Sequence, residues 1–115
     1  MSRQANKKLL QAVLEPRKPG AIKAIGEAIE AGADPNSVTP DTSTSVGHVP
    51  AGRTLLTHCV HEGASVAAEK LLQCGADASL RDELGWTPWM ASTLTDESKR
   101  GKIQGLLEVE NADKT

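Results

Sequence analysis

The chain of 115 residues has no phenylalanine and no tyrosine, and Trp86 and Trp89 are its only large aromatic residues. A core without such rings must be filled by aliphatic and small side chains packed closely together. Thin helix pairs stacked side by side suit that requirement. The two cysteines, Cys59 and Cys74, are fewer than a disulfide scaffold of this length carries, and free thiols in a reducing compartment are the simpler reading. The mostly apolar run from Leu9 to Leu14 is too short for a secretory signal, and no stretch approaches the ~18 apolar residues of a membrane span. The expectation is a single domain over residues 1–115, cytoplasmic or nuclear, with no membrane and no nucleic acid among its partners.

A strong charge of one sign is also missing: the formal net charge is -2. That balance gives the chain no polyanion-binding signature. The distribution is uneven, however. Residues 1–26 hold Arg3, Lys7, Lys8, Arg17, Lys18 and Lys23 against the single acid Glu15, a net of +5, and the remainder carries a net of -7. Such a basic end is either solvated or points to an acidic or phosphate-bearing partner near the N-terminus. No interleaved aromatics or recognition motif accompany it, which argues against nucleic acid.

What is present is internal repetition. Ala28-Ile29-Glu30-Ala31-Gly32-Ala33-Asp34 reappears as Leu71-Leu72-Gln73-Cys74-Gly75-Ala76-Asp77, and more weakly as Leu106-Leu107 running to Asp113. Each begins with an apolar pair suited to a helix. Gly32 and Gly75 then stand where a left-handed backbone ends that helix. A second pattern precedes the helices: Gly52-Arg53-Thr54-Leu55-Leu56-Thr57 aligns with Gly85-Trp86-Thr87-Pro88-Trp89-Met90. Thr54 and Thr87 suit helix N-caps, and Pro88 suits a first helical position. A short helix, a turn at Glu62-Gly63 and a second helix from about Ser65 to Gln73 follow.

These residues resemble the ankyrin repeat, a β-turn finger followed by two antiparallel helices in about 33 residues, with a T-P-L-H motif at the first helix. The resemblance covers nearly the whole chain. It implies an all-α ankyrin-repeat solenoid of stacked antiparallel helix pairs with β-turn or hairpin fingers. Residues 4–36 form an N-terminal repeat without a finger, 37–50 a stretched first finger or insertion, 51–79 a second repeat and 80–113 a third. Thr57 and Met90 replace the motif's histidine. Asp96 stands where the inter-helix glycine would be, and Glu97 to Gly101 is expected to lengthen that turn. The finger at 37–50 has the composition of a loop, and no convincing strand is visible. Its Thr39-Pro40 pair is similar to a proline-directed phosphoacceptor.

The resemblance also implies where a partner would bind: the finger tips and the exposed face of each first helix. Small and aliphatic residues such as Ala67, Ala68, Leu71, Leu72 and Ala91 would face neighbouring repeats. The binding positions are then Arg53, His61 and Glu62 in the middle repeat, and Glu83, Leu84, Trp86, Leu94 and Thr95 in the last. Arg17 and Lys18 fall near the matching turn of the first repeat. Trp86 is expected to be exposed at its finger tip, either as a binding residue or folded over a neighbouring finger. Leu84 would extend an apolar patch there. Trp89, in the apolar slot of the motif, is expected in the core.

Catalytic and metal readings find little support. In His58-Cys59-Val60-His61 the two histidines share a helix face, while Cys59 takes a small buried position, so no zinc set forms. Adjacent helix positions do not face one another, so a cysteine–histidine nucleophile pair fails as well. Glu108 and Glu110 read as a solvated end. No metal or cofactor is expected, and the chain is read as not an enzyme. The leading expectation is a non-catalytic interaction module (adaptor, scaffold or regulator) that is a monomer or part of a larger chain. The alternatives are an N-terminal recognition domain of a larger protein whose activity lies elsewhere, or a small inhibitor of a partner enzyme.

Overall fold

A computed structural model describes residues 2–44, 47–94 and 97–114. Among them are six helices and one two-stranded sheet. In chain order these are α1 (Ser2–Leu14), α2 (Ala21–Glu30), β1 (Thr42–Thr44), β2 (Gly47–Val49), α3 (Leu55–His61), α4 (Ser65–Gln73), α5 (Pro88–Ser92) and α6 (Glu97–Lys114). The molecule is thus mostly helical. No described helix is long and apolar enough to cross a membrane.

The helices pack in pairs, α1 on α2, α3 on α4 and α5 on α6. Between pairs, α3 meets both α1 and α5, while α4 meets both α2 and α6. One continuous apolar cluster draws on all six helices. In α1 the buried positions are Ala5, Leu9, Ala12 and Val13, the spacing of one helical face. The expected framework residues Ala67, Ala68, Leu71, Leu72 and Ala91 are all buried. Alanine recurs where elements meet, at Ala28, Ala33, Ala76 and Ala78 as well. Small side chains let backbones approach closely, which compensates for the missing rings.

The helix ends follow local chemistry. Thr54 and Thr87 cap α3 and α5, their hydroxyls accepting from the backbone N–H of Thr57 and Met90 at 3.1 and 3.2 Å. Gly32 and Gly75 adopt φ of 107° and 104°. After each, a buried alanine amide returns to the helix: Ala33 donates to the Ala28 carbonyl, and Ala76 to that of Leu71. The following turns are linked, since the Asn36 side chain accepts from the Asp77 amide at 2.6 Å. Asn6 does the same for the Asp34 amide at 2.8 Å.

Three expectations about irregular segments are corrected by the structure. The finger at 37–50 is not only a loop: β1 and β2 pair antiparallel, with Thr42 opposite Val49, Ser43 opposite His48 and Thr44 opposite Gly47. Thr39 at its base is only 2% exposed. Its hydroxyl donates to the Pro50 carbonyl at 2.7 Å and accepts from the Arg53 amide. It is therefore a structural anchor and not an accessible phosphoacceptor. Glu97 to Gly101, expected as a lengthened turn, is the first part of α6. Most residues there are good helix formers, and Gly101 lowers that propensity without breaking the helix. Asp96 lies outside the described residues.

The two finger bases are stitched by backbone hydrogen bonds that meet at Gly52. Its N–H donates to the Thr39 carbonyl at 2.8 Å, and its carbonyl accepts from the Glu83 amide at 3.0 Å. Gly52 has φ of 86°, and a Cβ there would lie 2.8 Å from the Glu83 Cβ and closer still to its carboxyl group. At Gly75, by contrast, a Cβ would meet nothing within 4 Å. The two positions separate backbone strain from collision. Gly75→Ala should cost about 1–2 kcal/mol, the strain of the left-handed backbone alone. Gly52→Ala should cost more than Gly75→Ala, because the turn at Glu83 must also shift. Urea denaturation of the two variants measures the difference; equal losses would remove the collision from the account.

Candidate functional site

The site is built on the last finger, residues 81–86, and the short helix behind it. Asp82 organises the finger. Its carboxylate accepts from the amides of Leu84 and Trp86 at 2.9 and 2.8 Å, and its own amide donates to the Trp86 carbonyl. This closes a tight turn in the manner expected of aspartate. Arg81 ties the turn to α5: its guanidinium donates to the Gly85 carbonyl at 2.9 Å and reaches Met90 Sδ at 3.9 Å. The presented side chains are thus held on a fixed frame.

That frame brings three of the expected binding residues together. Trp86 is half-buried and leans on His61, with ring centroids 6.3 Å apart. Arg53 sits at the same place, its guanidinium donating to His58 Nδ1 at 3.5 Å. The expectation of an exposed Trp86 is thereby corrected, since the ring folds back against α3. Glu83 is exposed beside Gly52. The Glu62 backbone carbonyl accepts from Arg17 at 3.2 Å, so Glu62 belongs to the turn at the other end of α3. Thr95 lies outside the described residues.

The apolar surface is larger than expected and differently composed. Leu84 and Leu94 are 73% and 64% exposed. Trp89, expected in the core, is 36% exposed, and Met90 is similarly open. The reason lies in the packing order. The equivalent residue of α3, Leu56, is buried because α3 is covered by α1 on one side and α5 on the other. α5 packs on α3 and α6. Pro88, Ala91 and Ser92 face inward, which leaves Trp89 and Met90 outside. Asp82, Arg81 and Met90 were not identified from the chain alone. The Asp-x-x-Gly spacing of Asp82 and Gly85 was the signal for the first of them.

The interior side of the site carries no reactive group. His58 is fully buried; with Nδ1 accepting from Arg53, its proton sits on Nε2, which has no protein partner. Burial, reinforced by the charge of Arg53, lowers its pKa to about 4. The same two causes lower that of His61. Cys59 is fully buried, and burial pushes its thiol up to about 12, far from the thiolate that nucleophilic chemistry requires. Among the described residues, no three of His, Cys, Asp or Glu are grouped to hold a metal ion.

No protein-family model matches the chain. No curated protein matches it in sequence.

Two measurements follow from the buried groups. A histidine whose folded pKa lies below its unfolded value binds its proton more readily in the unfolded chain. Stability is therefore full above about pH 6.5 and is lost as pH falls towards 4. For His58 the loss approaches about 3 kcal/mol, and His61 adds to it with the same sign. Urea melts at pH 7 and pH 5 should show the protein less stable at pH 5, and His58→Asn should flatten the dependence. A wild-type stability that does not change between these values would contradict a buried neutral imidazole. Thiol labelling under native conditions should modify half-exposed Cys74, with Cys59 protected until the chain unfolds. Equal labelling of both would mean that α3 opens readily.

Proposed function

We propose that this chain is an ankyrin-type repeat domain that binds another protein and performs no chemistry of its own. The observation that carries this reading is the set of exposed apolar side chains Leu84 on the last finger, Trp89 and Met90 on α5, and Leu94 just after it, with the finger held in place by Asp82 and Arg81. Exposed apolar groups concentrated on one short stretch of chain mark interaction surfaces. A frame already ordered by hydrogen bonds costs little further entropy on association. Arg53, His61, Trp86 and Glu83 would form the polar side of the contact. The repeat reading is supported by three features: the paired helix packing, the matching turns at Gly32 and Gly75, and the matching caps at Thr54 and Thr87. Two free thiols suit a reducing compartment such as the cytosol or nucleus.

The test is affinity capture from native lysate with wild type, the Leu84→Ser/Trp89→Ser double variant and a Lys7→Ala control. Exposed positions are chosen because Trp86 is half-buried, and its replacement would disturb stability together with binding. A specific partner should be retained by wild type and control and reduced about tenfold or more by the double variant, with unchanged melting temperatures. The same partners on all three proteins would sink the assignment of this surface.

A further inference from the structure

The basic residues of the first segment find a use in the fold that is separate from the apolar surface. The turn between α1 and α2 lies against the turn between α3 and α4. Together with α6 they enclose a cleft of about 410 Å³. Three cations line it: Arg17 and Lys18 from the first turn, and Lys99 from α6. No acidic side chain lines it among the described residues. Ile22 and exposed Val66 supply an apolar floor.

Two of the three cations, Arg17 and Lys99, are held in place. The Arg17 guanidinium donates to the Glu62 carbonyl across the cleft at 3.2 Å, which uses one of its five N–H donors. The Lys99 stem runs over Gly63, so close that a Cβ there would lie 2.8 Å from Lys99 Cδ. The described salt bridges join Lys8 to Glu27 and His48 to Asp41, so neither Lys18 nor Lys99 is neutralised by a described carboxylate. Gathering three like charges is unfavourable unless an anion offsets them.

We propose that this cleft binds a phosphorylated serine or threonine on a segment of a partner protein. A phosphate presents three acceptor oxygens and close to two negative charges, which suits a cleft lined by three cations and the planar fork of arginine. The floor of Ile22 and Val66 accepts an apolar side chain next to the phosphate. Nucleic acid fits less well, because no aromatic ring lines the cleft for base stacking. The net charge of -7 outside residues 1–26 would also repel an extended polyanion. The cleft shares no residue with the finger and α5 surface and does not depend on the reading given to it.

The experiment is fluorescence anisotropy with a short labelled peptide carrying one phosphoserine flanked by leucine and glutamate. The unphosphorylated peptide, inorganic phosphate and poly(U) serve as competitors. The phosphopeptide should bind about tenfold or more tightly than its unphosphorylated form, and binding should weaken as salt rises. Lys99→Glu and Lys18→Glu should each weaken binding about tenfold. Lys7→Glu, the same charge change at an exposed site on α1 outside the cleft, should leave it within about twofold. Melting curves confirm that all three variants remain folded. Equal affinity for the unphosphorylated peptide, competition by inorganic phosphate or poly(U) at the concentration of the phosphopeptide, or an equal loss in Lys7→Glu would each overturn the proposal.

Discussion

The arrangement of the finger surface depends on the row of backbone hydrogen bonds that passes through Gly52. Its amide reaches back to Thr39 and its carbonyl forward to Glu83, so one residue couples the hairpin finger and the last finger. Thr39 completes the junction from the other side, with its hydroxyl on the Pro50 carbonyl. Backbone polar groups at such a junction must be paired, because their burial without partners costs more than the bonds return. The side chains that follow each strand of the row inherit its geometry. Arg53 comes directly after Gly52, and Trp86 closes the turn that begins beside Glu83.

Core composition imposes the second constraint. With aliphatic and small residues alone, each helix must be covered from several directions before its apolar face is dry. α3 achieves this, since it lies between α1 and α5 and is buried at every position from Leu55 to Val60. α5 does not, because α3 and α6 leave one of its sides open. The exposure of Trp89 is therefore a consequence of where the packing ends. The same end that leaves the hydrophobic effect unfinished is the end that has apolar surface to offer a partner.

What could be read from the residues was chemistry confined to a few neighbours. Thr54, Thr87 and Pro88 announce helix starts because capping is satisfied within one turn. Gly32 and Gly75 announce helix ends because only glycine takes that backbone at little cost. The framework alanines and leucines were legible through the resemblance to a repeat pattern. What could not be read depends on distant partners. Thr39 looked like an accessible threonine before proline, yet a bond to Pro50 buries it. Trp86 looked exposed until His61, from another helix, provided a face to lean on. Glu97 to Gly101 was assigned to a turn by the expected spacing of the repeat, against the helical preference of most of its own residues. The cleft at Arg17, Lys18 and Lys99 joins residues far apart in the chain, so charge counting alone could indicate only its basic half.

His58 shows how such a frame sets the character of its surface. The imidazole is held neutral by burial and by the neighbouring cation Arg53, and its Nε2 is left without a protein partner. An unpaired buried donor costs about 1–3 kcal/mol, so the position stabilises the fold poorly by itself. Its effect is indirect. By accepting from Arg53 it ties the guanidinium to α3, close enough to His61 for its charge to lower that imidazole's pKa. The polar side of the finger surface is thereby ordered by a contact made beneath it. The apolar side, at Leu84, Trp89, Met90 and Leu94, is left unsatisfied by the same packing. A pre-ordered polar edge beside uncovered apolar groups is the feature on which the proposed binding role rests.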